Sequence, residues 1–294
     1  MIRRLGVLPY NIMTTRTLGI RLGAAAVACA GLWVAHTQQP APQPLTIAKV
    51  KGDLYNIVGS GGNVGVYVTS EGVILIDDKF ERNYDEIVAK VKSVTDKPIR
   101  YVLDTHHHGD HTGSNAKFLP YAEVIAHKNA RINIVQNKQP GAPRLSFSDE
   151  QEINLGGKTV VMRWFGRGHT NGDAVVYFPE LKAVHMGDLY STGGPYIDAA
   201  SGGSGTEWSK TLDHVLAWDF DTVIPGHGDV GTRQDLMKYG RNVVTVVSRV
   251  TALHHEGKSL EEAAKLLKVD DLGFQSSGPL FGRTVAAIYG ELGK

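Results

Sequence analysis

From residue 54 onward one pattern recurs: a short apolar, β-branched run, then a turn carrying glycine. Runs at 55–58, 64–69 and 73–76 read as strands. Between 83 and 93 the period changes, with Ile87, Val88 and Val91 falling on one face, and the spacing predicts an amphipathic helix. Strands follow at 99–103 and 124–126, with a helix over 129–136. Gly156-Gly157 separates a hairpin of 152–155 and 158–165, and Pro179-Glu180 lies between strands 173–178 and 182–186. A helix is predicted over 207–218, a strand over 222–225, and a mostly helical tail over 233–267. Its last clear helix opens with Ser259 as N-cap and Glu262 at the capping-box position. Gly59-Ser60-Gly61-Gly62-Asn63 reads either as a flap over a site or as a loose hairpin. No internal repeat stands out.

The first 44 residues break this pattern. Arg3, Arg4, Arg16 and Arg21 precede an uncharged, alanine-rich run over 22–35, and a Gln/Pro-rich stretch follows over 38–44. This reads as a signal peptide and linker over 1–44, with the folded domain over 45–294. The expected location is secreted or periplasmic. The run is short beside the roughly 20 residues of a membrane span, so no stable membrane insertion is expected once the leader is cleaved. An uncleaved leader acting as a membrane anchor is the alternative, and a start at Met13 would give a more ordinary leader. The single cysteine, Cys29, lies inside this segment, which leaves the mature chain without disulfide or thiol ligand.

The chain has 294 residues, 42% hydrophobic and 21% charged, which suits one substantial domain with appendages. Without the leader, 27 basic residues face 30 acidic ones. No basic stripe remains, so nucleic acid is excluded as the expected partner and a small-molecule substrate is favoured.

Candidate chemistry concentrates in Thr105-His106-His107-His108-Gly109-Asp110-His111-Thr112-Gly113. Alternation along an extended segment points His106 and His108 the same way and His107 the other. Asp110 and His111, past the Gly109 turn, can face a second point nearby. Imidazole nitrogen and carboxylate oxygen suit zinc or a similar divalent ion. A terminal affinity tag also shows clustered histidines, but it is not followed by Gly-Asp-His-Thr-Gly. Three more candidates each follow an apolar run at a glycine turn: His169 in Gly-His-Thr-Asn-Gly-Asp, Asp188 in His-Met-Gly-Asp, and His227 in Pro-Gly-His-Gly. His127, His185, His214, His254 and His255 lack ligand spacing and read as structural or exposed.

His106-x-His108-x-Asp110-His111, followed by His169, Asp188 and His227, resembles the metallo-β-lactamase superfamily over roughly 54–228. The resemblance implies an α/β (α+β) fold: an αββα sandwich of two mixed sheets, helices outside, metals at one edge. It implies two zinc ions, with iron or manganese as other candidates. His106, His108 and His169 would hold one ion, and Asp110, His111 and His227 the other. Asp188 would bridge, since two close cations need an anion between them. Asp110 would also orient the attacking metal-bound hydroxide or shuttle its proton.

Asp77 matches the family's first motif. With Thr112, Thr170 and Asp173 it is expected to support the ligands from behind, because metal-bound imidazoles donate their other N–H to a neighbour. Residues 191–208 form a long loop rich in glycine and serine, and Tyr190, Ser191, Tyr196 and Trp208 are the candidate substrate pocket.

The implied activity is hydrolysis of a carbonyl compound, an amide, β-lactam or ester. Well-known lactamases often carry cysteine or serine in place of Asp188, and lysine in place of Ser191. That difference keeps a thioesterase similar to glyoxalase II, or a lactonase, as the alternative. Further alternatives are an iron-dependent persulfide dioxygenase, against which His111 and His227 argue, and a non-catalytic metal-binding module.

Overall fold

The computed structural model describes residues 44–274 and 279–293, all within the compact unit Pro42–Lys294. The leader read over 1–44 lies, but for its last residue, outside the described residues, as does Cys29.

The first sheet holds seven strands in chain order: β1 (Thr46–Lys51), β2 (Leu54–Val58), β3 (Val64–Val68), β4 (Val73–Ile76), β5 (Ile99–Asp104), β6 (Glu123–His127) and β7 (Leu145–Phe147). Pairing is antiparallel from β1 to β4 and parallel from β4 to β7. The second sheet runs β8 (Glu150–Leu155), β9 (Lys158–Trp164), β10 (Ala174–Phe178), β11 (Ala183–His185), β12 (Thr222–Ile224) and β13 (Gly231–Thr232). Only β11 and β12 pair in parallel there.

The helices are α1 (Tyr84–Lys92), the single turns α2 (Gly109–Thr112) and α3 (Asn115–Phe118), α4 (Lys128–Gln136), α5 (Gly205–Val215), α6 (Arg233–His255), α7 (Leu260–Leu266) and α8 (Pro279–Leu292). None among the described residues is long and apolar enough to cross a membrane.

Alternation along β4 shows how the layers form. Ile74 and Ile76 face inward, where they join Leu103 of β5 and Val176, Phe178 and Ile224 of the second sheet. Val73 and Leu75 face outward onto Ile87 and Val91 of α1. A strand covered on both faces has no reason to alternate in polarity, so it reads as an unbroken apolar run. The second sheet's outer face buries Val175 and Val184 against Trp208, Leu212, Leu236 and Val246 of α5 and α6. The result is helices, sheet, sheet, helices, the αββα sandwich that the resemblance implies.

Some elements depart from the sequence reading. The helix expected over 207–218 starts and ends earlier, because Ser204 caps it by accepting the Glu207 N–H at 3.1 Å. The expected tail stopped at 267, but α8 follows and buries Val285 and Ile288 in the helical layer. Three short edge strands, β1, β7 and β13, lacked a pattern strong enough to announce them. Both capping-box residues of α7 are as expected.

Candidate metal centre

Strands β5, β9, β11 and β12 all end at one edge of the sandwich, and each delivers a candidate ligand in the loop beyond. His106 and His108 follow β5, with Asp110 and His111 on α2; His169 follows β9, Asp188 follows β11, and His227 follows β12. Seven residues spread over 122 positions of sequence thereby converge. Among the described residues three groups have donor atoms within 4.8 Å of one another: first His106, His108, His169 and Asp188, second Asp110, His111 and His227, and third His107, His108 and Asp198, which shares His108 with the first.

In the first group the outer nitrogen of each ring already has an acceptor. His106 Nδ1 lies 3.0 Å from Thr105 Oγ1, whose own proton goes to Asp77 Oδ2. His108 Nε2 lies 3.0 Å from Asp198 Oδ2, and His169 Nδ1 lies 2.7 Å from the Tyr196 carbonyl. A neutral imidazole carries one proton. Each ring spends it outward, so three lone pairs face one another. His108 Nδ1 is 3.1 Å from His106 Nε2 and 2.9 Å from His169 Nε2. Burial keeps His106 well below its usual pKa and pushes His169 down to about 4. Neutral rings with converging lone pairs are what a divalent cation requires.

The second group reaches the same fit through charge. His111 is fully buried, and its Nδ1 donates to Asp77 Oδ2 at 2.7 Å. Its Nε2 is 3.2 Å from Asp188 Oδ1 and 3.8 Å from Asp110 Oδ2. His227 Nε2 is 3.3 Å from Asp110 Oδ2 and 3.4 Å from Asp188 Oδ1. Burial opposes charging His111, but Asp188, Asp77 and Asp110 outweigh it and raise its pKa well above the usual value. For His227 burial is likewise outweighed, mainly by Asp188 and Asp110, and its pKa rises to about 9. Burial alone would raise Asp110, yet His111 and His227 hold it down at about 2. This excess of carboxylate is suited to a cation.

Asp188 faces both the first and the second group. Its Oδ2 lies 3.9 Å from His106 Nε2 and 3.6 Å from His169 Nε2, while Oδ1 points to His111 and His227. Oδ1 is buried without a well-formed hydrogen bond among the described residues, another mark of a donor oriented toward an ion. Glycine permits this placement. A Cβ on Gly226 would come 2.0 Å from Asp188 Oδ1, and one on Gly62 would come 2.1 Å from the His111 ring.

The glycine loop 59–63, read as a flap or a loose hairpin, joins the antiparallel strands β2 and β3 as a hairpin, and it is pinned rather than loose. The Gly62 N–H donates to the Asp110 carbonyl at 3.0 Å, and buried Lys79 Nζ donates to the Gly62 carbonyl. The Asn63 N–H donates to the Gly226 carbonyl at 2.7 Å. Its side-chain amide donates to the carbonyls of Pro225 and Gly228 at 2.9 and 2.8 Å. The loop is a strut holding the His227 turn. Between it and His227 opens a groove of about 420 Å³, lined also by Thr46, Val58 and Asp229.

Asp77 meets three donors at once: the Thr105 N–H at 2.7 Å, the Thr105 hydroxyl at 2.9 Å, and His111. It does so in a left-handed backbone conformation, φ 63°, a strained state that surrounding contacts must hold. Thr112, Thr170 and Asp173 make no hydrogen bond to a ligand ring nitrogen. Thr112 Oγ1 donates to the carbonyls of His107 and His108, and Asp173 accepts the Thr170 N–H and hydroxyl. They brace the turns instead. The ring partners the sequence reading missed are Thr105 and Asp198. Asp198 sits in the long loop with no spacing signal to mark it.

Two of the expected pocket residues are core residues. Trp208 is fully buried, with Nε1–H donating to the Leu189 carbonyl at 3.1 Å, and Tyr190 packs edge-on against Tyr239 at 5.0 Å. The large apolar area of each is better placed under the loop than beside solvent. Ser191 pairs its backbone with that of His227. Tyr196 lies against the ligand rings, 6.0 Å from His108 and 5.3 Å from His169 between centroids, and the buried Trp208 ring backs His169 at 6.5 Å. His107 is buried behind the first group, 3.0 Å from Ser201 Oγ, and His127 stacks on Trp164.

The chain is similar to known proteins. The family model of the metallo-β-lactamase superfamily matches residues 57–227, and the chain belongs to that superfamily. It is 27% identical over 218 residues to the 2,4-dinitroanisole O-demethylase subunit alpha of Nocardioides sp. (strain JS1661), covering 70% of this chain and 66% of that one. It is 26% identical over 178 residues to a metallo-beta-lactamase type 2 of Bacillus cereus, covering 56% of this chain and 66% of that one. The chain thus spans just under two thirds of the length of these relatives. The solved structure of the DIM-1 metallo-beta-lactamase superposes with a TM-score of 0.62 at 20% identity, covering 69% of this chain and 99% of that one. The metallo-beta-lactamase of Pontibacter korlensis gives 0.60 at 20% identity, over 66% and 95%. These two structures speak to the fold.

Proposed function

We propose that the protein is a dinuclear, zinc-dependent hydrolase of a small-molecule carbonyl compound, an amide such as a β-lactam, or an ester. The observation that carries this reading is Asp188, whose two carboxylate oxygens divide between two adjacent groups of imidazoles. His106, His108 and His169 would hold one ion and Asp110, His111 and His227 the other, with Asp188 shared. Bound there, two zinc ions acidify water near neutral pH and stabilise the oxyanion formed on attack at a carbonyl.

The chain's own residues supply the rest. Asp77, Thr105, Asp198 and the Tyr196 carbonyl fix which nitrogen of each ring is free. Asp110 Oδ2 faces His227 at the rim, where it can accept a proton from the nucleophile and return it to the leaving group. The groove beside His227 admits substrate. Thioesters and lactones form a second reading, favoured by a carboxylate at position 188. Export to the periplasm or beyond, with anchoring by an uncleaved leader as the alternative, belongs to the proposal and rests on residues 1–44 of the sequence.

The test is turnover by the zinc-loaded chain of a panel holding a chromogenic cephalosporin, an aryl ester, a lactone and a thioester, with Asp110→Ala as blank. Turnover of any member at about 1 s⁻¹ or faster, lost in the blank, supports the hydrolase. No turnover of any member contradicts it.

A further inference from the structure

A second set of buried oxygens lies behind the ligand turn and takes no part in the metal centre. Along β5, Val102 faces outward and Leu103 inward, so Asp104 faces outward, away from the core between the sheets. Asp78 stands just past β4, and Asn115 is the first residue of α3. All three side chains are fully buried. The Ser114 N–H donates to Asp78 Oδ1 at 2.9 Å, and the neighbouring Asn115 Nδ2 donates to Asp104 Oδ2 at 2.8 Å. Adjacent residues of one turn thus hold both carboxylates. Burial, and after it the charge of Asp104, push the Asp78 carboxyl well above its usual pKa.

Each of these groups has one oxygen left over. Asp78 Oδ2, Asp104 Oδ1 and Asn115 Oδ1 are buried without a hydrogen bond among the described residues. So is Asn83 Oδ1, on a residue whose N–H joins the Ser114 hydroxyl in donating to the Phe80 carbonyl. The nearby cations are engaged elsewhere. Lys79, directly after Asp78, donates its Nζ to the Gly62 carbonyl, and His111 donates its Nδ1–H to Asp77. Turning the Asn115 amide over gives no relief, because its oxygen would then face Asp104. Buried acceptors without donors are costly, and buried unpaired carboxylates more so.

We propose that Asp78, Asp104 and Asn115, with Asn83 beside them, form a structural site for a calcium ion, separate from the imidazole groups. The donors are all oxygen, carboxylates and amide carbonyls, which suit a hard cation, whereas the imidazole groups suit zinc. One divalent ion balances the two carboxylates. It would join the ends of β4 and β5 to α3 directly behind Asp77 and Thr105, the residues that orient the His111 and His106 rings. The site makes no demand on substrate and stands apart from the hydrolase reading.

The test is the urea midpoint of the zinc-saturated chain with and without calcium, approached from the folded and the unfolded state, for the wild type, Asp78→Asn and Asp104→Asn. Asparagine imitates a protonated carboxyl but is a poorer cation ligand, so the variants also separate a bound cation from a proton shared by the carboxyls. With calcium at about 100 times its dissociation constant, the wild-type midpoint should rise by about 1 M. Native mass spectrometry should then count one calcium beside the zinc. Both variants should lose the rise and the calcium. A wild-type midpoint indifferent to calcium overturns the proposal, as does an equal rise in all three proteins. Should a variant fail to fold, Asn115→Ser decides, because it keeps both carboxylates. A rise smaller than the wild type's supports the site, and an undiminished rise overturns it.

Discussion

Asp198 Oδ2 accepts the Nε2–H of His108 at 3.0 Å, across ninety residues of sequence. The bond turns the His108 Nδ1 lone pair inward, and His108 holds the carboxylate well below its usual pKa against the opposing effect of burial. Removing such a partner frees the ring to rotate or change tautomer. Asp198→Ala should lower zinc affinity by about 10–100-fold, read by competition with a chromogenic chelator. Unchanged affinity would show that the His108 ring is fixed by packing alone.

Asn63 ties the His227 turn to the first sheet through two amide hydrogen bonds, one buried and one part-buried. Asn63→Ala leaves the Pro225 and Gly228 carbonyls without those donors. A stability loss of about 1–3 kcal/mol is expected, measured by urea unfolding, together with weaker metal retention in the Asp110, His111 and His227 group. Full stability and full metal content would contradict the strut.

How far these residues were legible in the sequence follows from how each acts. His106, His108, Asp110 and His111 share one turn, so local spacing exposes them. His169, Asp188 and His227 were legible only as histidines or aspartate at glycine turns after apolar runs, and through resemblance. Thr105 and Asp198 each reach a ligand ring through one side-chain contact, which leaves no periodic trace. The strut is hidden differently: Gly62 and Asn63 have a composition that signals freedom, while the contacts restricting them come from residues 79, 110 and 225–228. The two-sided burial of β4 was readable as an apolar run. The edge strands β1, β7 and β13 depend on tertiary pairing more than on their own residues.

Trp208 tests the correction made to the pocket. Its indole is enclosed by the second sheet's helical layer. Trp208→Phe should cost about 1–3 kcal/mol in stability and leave KM for any turned-over substrate unchanged. A large KM shift with little loss of stability would return Trp208 to the substrate site.

His127 makes a pH prediction away from the metals. The ring lies flat on Trp164, with centroids 5.2 Å apart, and burial pushes its pKa down from 6.5 to about 4. The unfolded chain therefore binds a proton near 6.5 that the folded chain refuses until about 4. This contribution is complete above pH 6.5 and is lost as pH falls toward 4. His127→Gln keeps a donor for the Ser148 carbonyl but cannot titrate. Its urea midpoint should fall less than the wild type's between pH 7 and pH 5. An equal fall would remove His127 from the acid limb.

The most direct test of the central claim is the number of zinc ions per chain, read by native mass spectrometry after zinc loading and removal of free metal. Two ions in the wild type are expected, with fewer than two in both Asp110→Ala and His227→Ala. A wild type holding one ion or none, or both variants holding two, would contradict the two-metal site.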